Sequence, residues 1–257
     1  MIIEFFKYQG TGNDFIIIDD RKNVFNEKDN NLISALCERK MGIGADGLIL
    51  LRNDPKYDFN MIYFNSDGNE STMCGNGGRC IISFAQSLNI INESTLFNAI
   101  DGMHKGIILD KVIKIKMNDV SKIQKIDNGL MMNTGSPHYI ELVDDLEKID
   151  LEKRGKEINS SRFFIKDGIN VNFVQANQDI YMRTYERGVN SETHSCGTGA
   201  VAASIALHNM SLVKDNIIQI NTRGGSLEVS FELENGNYHN VWLSGEVDLV
   251  YVGEFEC

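Results

Sequence analysis

The feature that most narrows the fold is a short pattern that occurs twice. MCGNGGRC (73–80) and SCGTGA (195–200) each place a cysteine directly before a Gly-x-Gly turn, and each turn leads into a helical run. Residues 76–88 carry apolar side chains at Ile81, Ile82, Phe84, Ala85 and Leu88, which is helical spacing. Residues 198–208, TGAVAASIALH, read as a second, alanine-rich helix. Cys74 and Cys196 stand 122 residues apart, close to half of the 257-residue chain, and strand-rich sequence precedes both. A duplicated α+β unit, with one helix per lobe, accounts for that offset.

The rest of the chain supplies strands. FIIIDD (15–20), GLILL (47–51), FNMIYFN (59–65) and the alternating IKIKM (113–117) read as strands in the first half. A turn at Asn53-Asp54-Pro55 joins the second and third of these. A helix is predicted over 29–40, ending before Gly42; Cys37 lies at helical spacing from Ile33 and Leu36 and reads as core. In the second half MMNTGSPHYIEL (131–142) reads as strand, turn, strand. Further strands are GINVNFVQ (168–175), IYMRTYERG (180–188), IIQIN (217–221), SLEVSFEL (226–233) and NVWLSGEVDLVYVGEF (240–255), with Glu234-Asn235-Gly236-Asn237 as a hairpin turn. The division gives an N-terminal lobe over 1–118 carrying Cys74, to which 248–257 can return, and a C-terminal lobe over 119–247 carrying Cys196.

Composition excludes several functions. The chain has 36 acidic and 25 basic residues, a formal charge of −11, which repels nucleic acid and anionic membrane surfaces. The longest apolar runs, such as FIIID and GLILL, are far too short to span a bilayer. MIIEFFKYQG lacks the basic start, apolar stretch and small-residue cleavage site of a secretory leader. The expectation is a soluble cytoplasmic protein. Five cysteines, at 37, 74, 80, 196 and 257, are an odd number, and none forms a Cys-x-x-Cys pair. Neither a disulfide scaffold nor a zinc site is expected, so the cysteines are buried fillers or reactive thiols. Cys257, at the chain end, reads as incidental.

A cysteine at a helix start has a distinct chemistry. The first helical turn leaves backbone N–H groups unpaired and carries partial positive charge. A thiol there ionises more readily, and the same N–H groups can bind a carboxylate. Two such sites facing each other across a cleft offer an acid and a base on opposite sides of one carbon. Inverting a carbon next to a carboxylate needs that arrangement: a thiolate removes the proton from one face and a thiol returns one to the other. Helix N-termini can stabilise the intervening carbanion without metal or pyridoxal cofactor. The alternative is that both cysteines are ordinary small residues at helix caps.

In order along the chain, GTGNDF (10–15), GIGADG (42–47), NSDGNESTMCGNGGRC (65–80), TGSPH (134–138), NVNFVQ (170–175), YERG (185–188), SCGTGA (195–200) and GGSLEV (224–229) resemble the diaminopimelate epimerases of bacterial lysine and peptidoglycan synthesis. The resemblance runs nearly end to end. It implies two similar α+β lobes, each with strands wrapped around a central helix, and an active site in the cleft between them. It implies interconversion of LL- and meso-2,6-diaminopimelate, no cofactor, no metal, and a homodimer. Cys74 and Cys196 would be the two acid/base thiols. Gly75, Asn76, Gly197 and Thr198 would present N–H groups to the carboxylate on the reacting carbon. Asn13, Asn65, Asn170, Glu186 and Arg187 would hold the rest of the substrate, Arg187 by forking onto the distal carboxylate and Glu186 by pairing with an ammonium. His138, and Glu186 again, would help set the protonation of the thiols.

Taken without that resemblance, Glu186-Arg187 reads as a solvated strand end, and Asn13 and Asn65 as turn formers. Arg79 reads as packing or a surface ion pair. Ser136 stands where many relatives carry Asn, Gly47 where some carry Gln, and the loop Gly188–Ser195 is a residue longer than the common form. Three rival functions remain: a proline or hydroxyproline racemase of the same fold, a thiol redox protein pairing Cys74 with Cys196, and an anion- or nucleotide-binding module. GTGND lacks the Lys-Ser/Thr ending of a P-loop, and CGNGG opens no dinucleotide fingerprint.

Overall fold

The computed structural model describes residues 2–256; Cys257 lies outside the described residues. The chain divides into two compact units. One runs to Ile115 and resumes at Gly245; the other is Lys116–Ser244.

In the first unit β1 (Ile2–Gly10) runs antiparallel to β2 (Asn13–Asp19), and β2 lies parallel to β3 (Gly47–Arg52). β3 is antiparallel to β4 (Asn60–Asn65), which also meets the two-residue β5 (Glu70–Ser71) and, in parallel, β6 (Ser94–Ala99). β6, β7 (Gly102–Leu109) and β8 (Val112–Lys116) then form two antiparallel hairpins. Helix α1 (Asn30–Cys37) joins β2 to β3, and α2 (Gly75–Ser87) joins β5 to β6.

The second unit repeats this plan pairing for pairing. β10 (Gly129–Asn133) is antiparallel to β11 (Pro137–Leu142), β11 parallel to β12 (Asn170–Ala176), and β12 antiparallel to β13 (Ile180–Glu186). β13 meets a short β14 (Ser191–Thr193) and, in parallel, β15 (Ile217–Thr222). β15, β16 (Gly225–Glu234) and β17 (Asn237–Glu246) close as two hairpins. Helices α3 (Leu151–Asn159) and α4 (Gly197–Asn209) occupy the places of α1 and α2. Each unit gains one strand from beyond its own repeat. β9 (Ile123–Ile126) precedes β10 and pairs with it, while β18 (Asp248–Glu256) returns from the chain end to pair with β1. The duplicated α+β architecture expected from the two cysteine motifs is therefore present, with two α-helices rather than one in each unit among the described residues.

The strands wrap the second helix of each unit. β1, β2, β3 and β7 surround α2; β10 to β13, β15 and β16 surround α4. In α4 every residue from Gly199 to Leu207 is buried, which explains a sequence of alanines and aliphatics with no polar face. β2 and β3 bury both faces. Ile16, Ile18, Leu48 and Leu50 pack with Ile33, Leu36 and Cys37 of α1, while Phe15 and Ile49 lie against Gly77 of α2. That is why FIIID and GLILL read as continuous apolar runs rather than alternating ones.

Several expectations change in detail. The helix predicted over 29–40 spans only Asn30–Cys37: Asp29 caps its start by accepting from Leu32 N (3.0 Å), and the chain turns extended at Glu38. Its last carbonyls are taken by the following loop, Gly44 N to Leu36 O (2.9 Å) and Ala45 N to Cys37 O (3.0 Å), so no further turn forms. The run 240–255 is two strands, broken at Val247, just after the chain leaves the second unit at Ser244. The Asn235-Gly236 hairpin is as expected, both residues having positive φ (52° and 80°) between Glu234 and Asn237. α3 has too few apolar positions to be read from the sequence; of its nine residues only Leu151 and Gly155 are buried.

Candidate active site

Each unit begins its central helix with a cysteine. Cys74 (φ −89°, ψ 131°) precedes α2 and Cys196 (φ −128°, ψ 109°) precedes α4. Their carbonyls accept the first helical hydrogen bonds, from Gly78 N (2.7 Å) and Ala200 N (2.9 Å), while neither side chain caps its helix. Both sulfurs are therefore left at the positive end of a helix dipole. The N–H groups of Gly75, Asn76, Gly197 and Thr198 belong to the first turns, where no helical carbonyl reaches them.

In the first unit Asn13 positions Cys74. Its Nδ2 donates to the Asp46 carboxylate (2.6 Å), which turns Oδ1 toward α2. That oxygen accepts from Asn76 Nδ2 (3.2 Å) and from Cys74 Sγ (3.6 Å). Arg39 braces the carboxylates, at 2.6 Å from Asp46 and 2.7 Å from Asp14, and Lys7 adds a 2.8 Å contact to Asp14. Burial raises the Asp14 pKa, but the bonds from Arg39 and Lys7 outweigh it and hold the carboxyl at about 2. Asn65 ends β4 with its side chain exposed.

Behind Cys74 lies Arg79, and here the sequence reading is half right. The residue is fully buried, so it packs, but it makes no surface ion pair. Nη2 donates to Thr11 Oγ1 (3.2 Å), while Nε and Nη1 have no hydrogen-bond partner. Burial lowers its pKa to about 10, opposed by the nearby Cys80 and Cys74 sulfurs. Cys37, expected in the core, is 2% exposed, and burial pushes its thiol up to about 12. Cys80 is fully buried and pushed higher still.

The second unit surrounds Cys196, itself 8% exposed, with different chemistry. Cys196 Sγ lies 3.6 Å from Thr198 Oγ1, and Thr198 Oγ1 lies 2.8 Å from His138 Nε2. His138 Nδ1 accepts from Asn172 Nδ2 at 3.0 Å. His138 is wholly buried, which lowers its pKa to about 3, so the imidazole is neutral at physiological pH. It reaches Cys196 through Thr198 rather than directly. Asn170, paired in register with His138, donates Nδ2 to Ser136 Oγ (2.8 Å) and Pro137 O (3.1 Å) and accepts from Arg187 N (2.8 Å). Asn170 thus fixes the backbone of Arg187. The exposed Arg187 side chain uses one donor on Asp167 O (3.1 Å), leaving most of its fork for a ligand. Glu186 ends β13, half-buried beside it.

Sequence reasoning missed Asn172, Asp46 and the hydroxyl of Thr198. Asn172 had a signal: in NVN (170–172) it falls on the same strand face as Asn170. Among the described residues no group of three or more His, Cys, Asp or Glu is placed to hold a metal ion, and no helix is long and apolar enough to cross a membrane.

A family model described as diaminopimelate epimerase matches residues 5–120 and 130–250. The chain is 48% identical over 252 residues to the diaminopimelate epimerase of Flavobacterium psychrophilum, covering 97% of this chain and 98% of that one. It is 37% identical over 273 residues to that of Aquifex aeolicus, covering 98% and 97%. The chain belongs to the diaminopimelate epimerase family. The resemblance read from its motifs is thereby borne out. Two solved structures share the fold at low identity: a Bacillus anthracis phenazine biosynthesis protein of the PhzF family (TM-score 0.77, 13% identity, 100% of both chains) and a hydroxyproline epimerase from Agrobacterium vitis (TM-score 0.72, 12% identity, 98% of this chain and 92% of that one).

Two of the three departures from common diaminopimelate epimerase sequence, Ser136 and Gly47, have structural counterparts. Ser136 accepts the amide of Asn170. At Gly47 a Cβ would stand 2.5 Å from Phe64 O and 2.6 Å from the Tyr63 ring, so that ring fills the space a longer residue would need.

Proposed function

We propose that the chain interconverts LL- and meso-2,6-diaminopimelate without a cofactor, Cys74 and Cys196 exchanging protons with opposite faces of one α-carbon. Family membership supports the substrate. The observation that carries the mechanism is the pair of uncapped cysteines at the N-termini of α2 and α4, each sulfur with a side-chain polar partner. One thiolate takes the α-proton. The carbanion left behind is stabilised at its carboxylate by the first-turn N–H groups of Gly75, Asn76, Gly197 and Thr198. The opposite thiol then donates its proton, and reversal exchanges the roles.

Recognition of the distal centre falls to Arg187 for the carboxylate, Glu186 for the ammonium, and Asn13, Asn65 and Asn170 for position. Arg187 keeps donors available for a two-point contact, and Asn170 holds its backbone. That set selects a long substrate with charge at both ends over proline, which has no distal group. We assign the working form to the cytoplasm as a homodimer, which sedimentation of the purified protein tests. For the activity, reduced protein and no added cofactor should convert LL-diaminopimelate to the meso isomer and leave L-proline unchanged. Racemisation of proline with no action on diaminopimelate overturns the assignment.

A further inference from the structure

Four side chains behind Cys196 form a hydrogen-bond chain whose direction can be deduced. Asn172 is fully buried on β12. Its Nδ2 faces two carbonyl oxygens, Tyr139 O at 3.3 Å and Asn170 O at 3.5 Å, besides His138 Nδ1 at 3.0 Å. Its Oδ1 accepts from Thr184 Oγ1 at 2.9 Å. Rotating the amide would set its oxygen against two other oxygens, so the amide has one orientation. With Nδ2 as donor, His138 Nδ1 can only accept. The ring hydrogen then sits on Nε2 and points at Thr198 Oγ1, 2.8 Å away. Thr198 Oγ1 accepts it, and the hydroxyl's own hydrogen is left for Cys196 Sγ at 3.6 Å.

We propose that Asn172 is a positioning residue which fixes His138 as the Nε2–H tautomer, so that the Thr198 hydroxyl donates to Cys196 and favours its thiolate. The inference deepens the reading of Cys196 as an acid/base thiol and rests on it. Donation from a hydroxyl stabilises the charged sulfur, whereas an acceptor at the same place would stabilise the thiol. The packing is built for this contact. A Cβ at Gly199 would lie 2.4 Å from Asn172 Oδ1, so only glycine lets α4 settle against the amide. The chain also gives Thr198 a second use: its backbone N–H faces the proposed carboxylate site while its side chain serves the sulfur.

Two readouts test it without substrate, and so separate its failure from failure of the epimerase assignment. Nitrogen NMR of protein labelled in histidine should show His138 with a bare Nδ1 and a protonated Nε2, unchanged between pH 5 and 8. Alkylation of Cys196 by iodoacetamide, resolved by peptide mass in a Cys74→Ala background, reports thiolate content. Thr198→Val keeps the shape and removes the hydroxyl, and should slow alkylation roughly tenfold, one pKa unit's worth. Thr198→Ser should restore it. Asn172→Asp, which accepts from Nδ1 rather than donating to it, should move the ring hydrogen to Nδ1 and slow alkylation as Thr198→Val does. An Nδ1–H or cationic His138 in the parent protein, or parent-like alkylation in Thr198→Val or Asn172→Asp, overturns the proposal.

Discussion

Cys74 and Cys196 occupy the same place in two copies of one topology, yet the groups around them differ in sense. Cys74 Sγ meets an acceptor, Asn13 Oδ1, whose orientation the Asp46 carboxylate fixes from behind. Cys196 Sγ meets a hydroxyl whose oxygen is already engaged by His138. Five residues beyond each cysteine stand Arg79, buried with two nitrogens unpartnered, and Val201, buried and apolar. The duplicated backbone supplies what both thiols need, an uncapped helix start. The side chains supply the difference, and the proposed two-thiol mechanism uses one: at any moment one sulfur would carry a proton and the other would lack it. Arg79 then has a role consistent with reversibility. In the proposed mechanism its charge would offset the thiolate that Cys74 becomes after donating.

The largest effect expected from breaking this comparison is at the sulfurs themselves. Replacing either Cys74 or Cys196 by Ala should abolish inversion. Serine in either place should lower kcat by about 10² to 10⁴, because a hydroxyl is a far weaker acid than a thiol. Near-normal turnover in either serine variant, measured by a coupled or polarimetric assay, removes the thiol pair from the account. Next in size is Arg187→Ala, which should raise KM on the order of 10- to 100-fold through loss of charge-assisted bonds while changing kcat less. A fall in kcat at constant KM would place Arg187 at the reacting centre instead.

Arg79→Met sharpens the contrast between the units. The buried guanidinium has too few partners to stabilise the fold, so an apolar side chain of similar length should leave stability within about 1 kcal/mol of the parent, or raise it. Turnover should fall roughly tenfold, as expected for a one-unit rise in the Cys74 pKa. Urea unfolding and steady-state kinetics separate the two. A large loss of stability with unchanged activity would make Arg79 a packing residue only.

A last set of effects concerns acid rather than substitution. His138 is held neutral in the fold, its pKa lowered to about 3 from an ordinary 6.5. The unfolded chain therefore binds the extra proton between those values, and stability, full above pH 6.5, falls as the pH drops toward 3. The slope approaches about 1.4 kcal/mol per pH unit. Asp14, lowered from 3.8 to about 2, adds a weaker loss between those values, partly screened by solvent. His138→Gln should flatten the upper part of the profile and leave the lower part. An unaltered profile from pH 6.5 to 4 would mean another group titrates there.

Much of this was legible in the residues. The paired Cys-Gly-x-Gly motifs announced the duplication, and the motif set led to the family. FIIID and GLILL were legible as strands because burial on both faces leaves continuous apolar runs. What escaped were contacts that depend on register. Asn172 meets His138 only because β11 and β12 run parallel with His138 opposite Asn170, a pairing no local pattern encodes. Arg79 read equally as packing or as a surface ion pair because its burial comes from strands distant in sequence. β18 was merged with β17 because the pause at Val247 carries no glycine or proline.

The most direct test follows LL-diaminopimelate in D₂O with reduced enzyme, by proton NMR at early conversion. Two thiols acting from opposite faces predict meso product carrying deuterium at the inverted centre, while the remaining LL substrate keeps its proton. Deuterium appearing in the unreacted substrate as fast as in the product, or product that retains the substrate proton, would mean one group serves both faces and would contradict the account.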